Sequence, residues 1–298
     1  MSELQITSEH TYARIAQVLE ELEALRLEMG RNRDARVPMH VHDASPREVF
    51  YHAQTVYRKA NQLCAELGAE QASPRGAVQP ARAGPSDVLV LLEGARERLA
   101  RARERLHIDG DTFRPELPGP VPRTADKSPS DVLAGCLLAS RQLNTMLAHA
   151  FAASESYEQL MRALGLVRRL LAVHGAGLAP APPFERRKFP RDVFQLLWQT
   201  CKVLQRALRD SGLRALDIER AYVGEEPTDV YDLASLVVSE LEYLASFLPE
   251  KKDPPLAAGE TLILPAHNFR LARQLQAAVD MLAEAARARP DWLRSAQA

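Results

Sequence analysis

Eight stretches of the chain carry apolar residues at +7, +10, +14 and +17 from a common starting point, the 3-4-3 spacing of a helix face that packs against other helices. The first four rows are Ile15, Val18, Leu22, Leu25; Ala53, Val56, Ala60, Leu63; Leu92, Ala95, Leu99, Ala102; and Cys136, Ala139, Leu143, Met146. The next four are Leu160, Ala163, Val167, Leu170; Leu197, Thr200, Leu204, Ala207; Ala234, Val237, Leu241, Leu244; and Ala272, Leu275, Val279, Leu282. No charged residue falls in these places although 26% of the chain is charged, and Thr200 is the one ordinary polar residue among them. The pattern predicts eight helices that turn their ionisable side chains away from a shared interior.

The starting points share a local chemistry. Ser45-Pro46-Arg47-Glu48-Val49-Phe50 recurs as Gly84-Pro85-Ser86-Asp87-Val88-Leu89, Ser128-Pro129-Ser130-Asp131-Val132-Leu133, Phe189-Pro190-Arg191-Asp192-Val193-Phe194 and Glu226-Pro227-Thr228-Asp229-Val230-Tyr231. Proline suits the first helical position, where its missing N–H is an unpaired donor in any case. The acid two residues later can accept from the cap backbone and faces the positive end of the helix dipole. Weaker copies start at Ser8, Ala153 and Pro265, with His10 and His267 in the acidic place, where each imidazole is read as serving the same cap.

The eight starts, 8, 46, 85, 129, 153, 190, 227 and 265, are separated by 38, 39, 44, 24, 37, 37 and 38 residues. One short step divides the other six into three and three, so the expected fold is all-α: two tandem four-helix bundles made by internal duplication, residues 1–152 and 153–298. Across the short step the apolar row runs on through Ala150, Ala153, Tyr157, Leu160 and Leu164. It predicts one helix from Pro129 to about His174, roughly 65–70 Å long at 1.5 Å per residue. A break at Ser154 or Ser156 is the competing reading. The Pro-rich linkers exceed the 2–8 residues usual between bundle helices. An extended linker can run back along a helix, which leaves parallel and antiparallel neighbours both open. A short extra turn is expected within Leu213 to Glu226, and Trp292 should pack back on its bundle.

Net charge is −1, and nucleic-acid binding normally needs a basic footprint, so no nucleic-acid partner is expected. Arg96, Arg98, Arg101, Arg103 and Arg105 form one local excess, read as a face beside the acidic stripe Glu20, Glu21 and Glu23. Three scattered cysteines, Cys64, Cys136 and Cys201, suggest a reducing, cytoplasmic setting. Neither an export signal nor an apolar run long enough to span a bilayer is evident.

Phosphate loops, Rossmann glycine strings, Gly-x-Ser-x-Gly and His-Glu-x-x-His are absent from the sequence. A non-enzymatic protein-binding or scaffolding module is therefore the expected function, with a protein partner, self-association as a further outcome, and neither cofactor nor metal. Candidate contact residues are Tyr51, His52, Tyr57 and Arg58, off the apolar row of the second helix, and Trp198 in the sixth. The loop Ile108 to Lys127 is a further candidate. His40 and His42 would point the same way on an extended strand, a weak metal signal. The alternative function is a small-molecule sensor or carrier, with an apolar pocket near Tyr12, Tyr157, Phe194, Trp198 and Phe269 or beside the alanines of the second and third helices.

Overall fold

The computed structural model describes residues 6–34, 40–73, 83–106, 125–148, 153–219, 226–249 and 262–295. Eight long helices begin at the residues that share the capping chemistry. They are α1 (Ser8–Glu28), α2 (Pro46–Glu66), α3 (Pro85–Arg105), α4 (Pro129–Met146), α5 (Ala153–Val173), α6 (Pro190–Asp210), α7 (Pro227–Ala245) and α8 (Pro265–Ala288); a short α9 (Trp292–Ser295) follows. All 32 row positions are enclosed, none more than 2% exposed. Among the described residues the fold is helical apart from a two-stranded sheet of β1 (His40–His42) and β2 (Asp217–Glu219). The strand β2 stands where the sequence suggested an extra turn.

The first turns of the seven long helices whose cap residue is described are locked alike. The side chain at the third helical position accepts from the backbone N–H of the cap residue. Glu48 takes Ser45 N at 2.6 Å, Asp87 takes Gly84 N at 2.8 Å and Asp131 takes Ser128 N at 2.9 Å. Asp192 takes Phe189 N at 2.8 Å and Asp229 takes Glu226 N at 3.1 Å. The imidazoles do the same: His10 Nδ1 accepts from Thr7 N at 3.2 Å and His267 Nδ1 from Leu264 N at 3.0 Å. An accepting Nδ1 is unprotonated, so a neutral ring carries its proton on Nε2.

The chain divides into two compact units, residues 1–149 with 218–222, and residues 150–217 with 223–298. In the first, α1 and α2 each pack against both α3 and α4. In the second, α5 and α6 each pack against both α7 and α8. Cross-helix pairs give the directions. From α2 to α4 they run Ala44–Ser130, Lys59–Ser140 and Glu66–Ala148, rising together. From α1 to α3 they run Arg14–Glu93 and Glu21–Arg96. Glu9–Asp126 and Ile15–Gly135 align α1 with α4. The second unit repeats this with Ser156–Pro227, Arg162–Glu242 and Arg169–Pro249 for α5 and α7, Gln199–Gln276 and Asp210–Arg287 for α6 and α8, and Ala153–Asn268 for α5 and α8. Within each unit all four helices point the same way.

Parallel neighbours explain the linkers. A 21-residue helix is about 31 Å long, a distance that about ten residues of extended chain recover. After α1 the chain turns back along α4: the Asp34 carboxylate grips the Arg141 guanidinium through bonds of 3.0 and 3.1 Å, and Ala44 N–H donates to Ser130 Oγ at 3.1 Å. After α5 it turns back along α8, where Gln274 donates to Ala179 O at 2.9 Å and Arg270 to Pro182 O at 2.8 Å. After α2 it retraces α2 itself, through paired 2.9 Å bonds between the Asn61 amide and the Ala72 backbone and a 2.8 Å bond from Tyr57 OH to Ser73 O.

The expected 129–174 helix is not formed. Helix α4 stops at Met146, and Leu147 is extended at φ −66°, ψ 134°. The Glu66 carboxylate then accepts from Ala148 N–H at 2.7 Å, a bond that replaces the next helical turn. Ser156, the competing break point, lies inside α5 with its hydroxyl donating to Pro227 O at 3.1 Å. Trp292 does pack back, 2% exposed, with Nε1 donating to Ser211 Oγ at 3.1 Å.

Close approach of α1 and α4 needs Gly135, where a Cβ would meet Ile15 Cγ1 at 3.0 Å and Cγ2 at 3.1 Å. Gly135→Leu should destabilise by about 1–3 kcal/mol by overpacking. Adding Ile15→Ala should recover part of the loss. Urea unfolding of both variants tests this, and an unchanged midpoint in Gly135→Leu contradicts the close approach.

Candidate functional site

Helix α2 carries a second row beside its apolar one. Glu48, His52, Thr55 and Lys59 follow one another at i, i+4, i+7 and i+11, so they share a face. All four are buried. Lys59 Nζ donates to Ser140 Oγ of α4 at 2.6 Å. Glu48 is held by its own cap and by the Arg47 guanidinium, and Thr55 Oγ1 donates to Tyr51 O at 3.1 Å. His52 is fully enclosed, and neither ring nitrogen has a hydrogen-bond partner among the described residues. Burial, and after it the Lys59 charge, lower its pKa to about 3 against the opposing charge of Glu48.

This corrects the expectation that Tyr51, His52 and Tyr57 face outward. Tyr51 and Tyr57 are buried as well; of the four candidates on α2, Arg58 alone is exposed. Fifteen of the 21 residues of α2 are buried because α3, α4 and the returning chain at Ala72 and Ser73 all cover it. No sequence signal marks this, since Glu48, His52, Thr55 and Lys59 read along the chain as the solvated polar face of an amphipathic helix. Trp198 is half-buried, with Lys202 Nζ 5.2 Å from its ring centroid and that lysine paired to Asp217 at 3.1 Å.

Nucleophilic catalysis needs the nucleophile and its base within hydrogen-bond reach and a place beside them for a reacting atom. Ser140 and Lys59 meet the first condition. Both are shut off from solvent at 0% exposure, so the pair in this arrangement acts as packing. Part of the arginine run of α3 is absorbed in a similar way, while Arg101 and Arg105 are exposed. Arg96 donates to Glu21 at 2.7 Å, and Arg98 reaches Glu70 O and Cys64 Sγ. Glu21 has a raised pKa, because its burial outweighs the nearby arginines. The three cysteines are buried and unbridged, and burial raises the Cys136 and Cys201 thiols well above their usual range. On β1 Val41 is buried between exposed His40 and His42. Among the described residues no group of three or more His, Cys, Asp or Glu is placed to hold a metal ion, and no helix is long and apolar enough to cross a membrane. Most of the loop 108–127 lies outside the described residues.

No family model, curated protein or solved structure matches this chain. The site is therefore read from its own geometry.

Two surface features combine open space with chemistry. In the second unit Phe184, Phe189, Leu262 and Leu264 are 42%, 55%, 71% and 47% exposed. They lie where the returning chain meets the first turns of α6 and α8. Phe184 packs on His267 with ring centroids 4.9 Å apart, Lys188 Nζ sits 4.0 Å from the Phe269 centroid, and Phe189 and Leu264 are the cap residues of α6 and α8. Arg186, Arg187 and Arg191 are exposed among them. In the first unit a cleft of about 450 Å³ opens between α1, α4 and the chain returning from α1.

His52 makes stability depend on pH. Its folded-state pKa lies below the unfolded value near 6.5, so the unfolded chain takes up the proton first. Stability is complete above about pH 6.5 and falls as pH drops toward 3, by up to about 2 kcal/mol between pH 6.5 and 5. His52→Leu should remove that slope. Urea unfolding at pH 7 and pH 5 gives the test, and an equal pH 7-to-5 loss in wild type and variant contradicts the assignment.

Proposed function

We propose that the chain is a non-enzymatic binding protein made of two duplicated four-helix bundles, 1–152 and 153–298, and that it engages a partner protein through the N-terminal end of the second. The duplication is supported by the shared packing cycle, in which the first and second helices of each unit each meet the third and fourth. It is supported too by the first linker of each unit, which returns along that unit's fourth helix. The observation that carries the binding reading is that four of the seven exposed large apolar side chains among the described residues, Phe184, Phe189, Leu262 and Leu264, belong to this one end of the second unit, while Leu27, Val90 and Val173 lie elsewhere.

Exposed apolar groups gathered with arginines mark contact surfaces more often than scattered ones do. Arg186, Arg187 and Arg191 around these four residues favour an acidic segment that presents apolar side chains of its own. Such a surface gains area from the aromatic rings and orientation from the guanidinium groups.

Phe189 can be changed without harm to its helix. Its backbone N–H, not its ring, bonds Asp192, and serine is a preferred cap residue. Phe189→Ser should leave the melting temperature unchanged or slightly raised. A photo-crosslinking residue at position 189, used in cells that naturally make the chain, should give a discrete adduct with an acidic protein segment. Adding Phe184→Ser to a chain labelled at Arg191 should weaken that adduct at least tenfold. A label at exposed Glu158 on α5 should give none. Equal adducts from 158 and 189, none from 189, or adducts with lipid alone would refute this reading.

A further inference from the structure

A groove of about 260 Å³ lies in the second unit between α5, α8 and the chain returning from α5. Tyr157, Met161 and Leu164 line it from α5, Leu271 from α8 and Leu178 from the returning chain. Positions 157, 161 and 164 follow at i, i+4 and i+7, so the three share one face of α5. The lining holds no carboxylate, and Arg270 is its one charged residue. His267 also lines the groove, as a neutral ring whose Nδ1 accepts from Leu264 N–H.

Arg270 has donors to spare. Its Nε donates to Pro182 O at 2.8 Å, which pins the guanidinium beside the returning chain. Its two terminal nitrogens have no hydrogen-bond or ion-pair partner among the described residues, and neither is buried. The one acid of the returning chain, Glu185, is taken by Lys188 and Arg273. Gln274 spends its amide N–H on Ala179 O at 2.9 Å. A guanidinium held at one nitrogen and open at the other two is pre-organised for a carboxylate. The first unit does not repeat this. Counted from Pro129 and Pro265, Ala134 stands at the place of Arg270, and the cleft there is lined by Glu20 and Glu23.

We infer that the groove between α5 and α8 binds a small apolar carboxylate, whose acid group is received by the terminal nitrogens of Arg270. An apolar cavity of about 150 Å³ accepts benzene, so the groove has room for a ring body along Met161 and Leu271. The apolar walls supply contact area, and the single cation sets orientation and selects the anion over a neutral molecule of the same shape. This site does not depend on the partner surface, although His267 packs on Phe184 as well.

2-Naphthoate tests this on the full chain, with 2-naphthamide as the uncharged probe of the same shape. Carbon-labelled methionine methyl groups give NMR signals for the six methionines, and Met161→Leu identifies the one in the groove. Naphthoate should shift the Met161 methyl saturably while that of Met146, on α4, stays in place. Naphthamide should bind about tenfold more weakly. Arg270→Gln should weaken naphthoate about tenfold, the effect of one charge-assisted hydrogen bond, and make the two probes equal. Arg270→Lys keeps the charge and should keep the preference for the anion. Leu178→Trp, at a half-buried position, should fill the groove and weaken both probes at least tenfold. Circular dichroism melts confirm that each variant is folded, and the Met161 shift with Arg270→Gln decides the matter if Leu178→Trp is not. No saturable Met161 shift, or one indifferent to a folded Leu178→Trp, overturns the site. Equal binding of the two probes to wild type, or unchanged naphthoate binding in Arg270→Gln, overturns the ligand class.

Discussion

Four helices that point the same way bring four partial positive charges to one end of a unit, with none of the cancellation that antiparallel packing provides. The structure meets this at every helix start for which the cap is described. A side chain at the third position reaches back to the cap N–H, and in five helices it is a carboxylate, placing negative charge on the dipole end. Each such group near a helix terminus contributes about 0.3–1 kcal/mol. The two helices with imidazoles satisfy the donor without adding charge. The capping motif is therefore a condition of parallel packing as well as a start signal.

The second condition is that the chain must return after every helix inside a unit. The described returning segments lie on helix faces that would otherwise meet water, and polar anchors hold them there. Arg141 holds Asp34, Asn61 holds Ala72, and Arg270 holds Pro182. Burial under a returning chain is why side chains off the apolar rows, such as Arg141 at 2% exposure, are enclosed with their partners. A buried ion pair of this kind adds little net stability over an apolar pair, yet removing one partner would strand the other.

The two units keep one frame and differ beside it. Counted from Pro46 and Pro190, the positions of Glu48, His52, Thr55 and Lys59 are filled in the second unit by Asp192, Leu196, Gln199 and Val203. Only the capping acid is retained. The first unit has a buried polar face on its second helix, while the second unit concentrates apolar and cationic groups at the starts of α6 and α8. The rows that build the core are common to both, and the two units differ on the flanks of those rows.

The helix starts and the enclosed rows were determined by the sequence alone. Caps and 3-4-3 spacing are properties of neighbours along one chain segment, and they need no knowledge of what packs against it. Helix direction, the coverage of Tyr51 and Tyr57, and the stop at Met146 were decided only by the tertiary structure. Each depends on a group distant in sequence: Ser140 against Lys59, Ser73 over Tyr57, Glu66 on the N–H of Ala148. An apolar row shows that a side chain is buried, and Leu147 is buried in extended chain as fully as a helical residue would be. Periodicity records which side chains leave water; the backbone partner that ends a helix or reverses the chain leaves no mark in it.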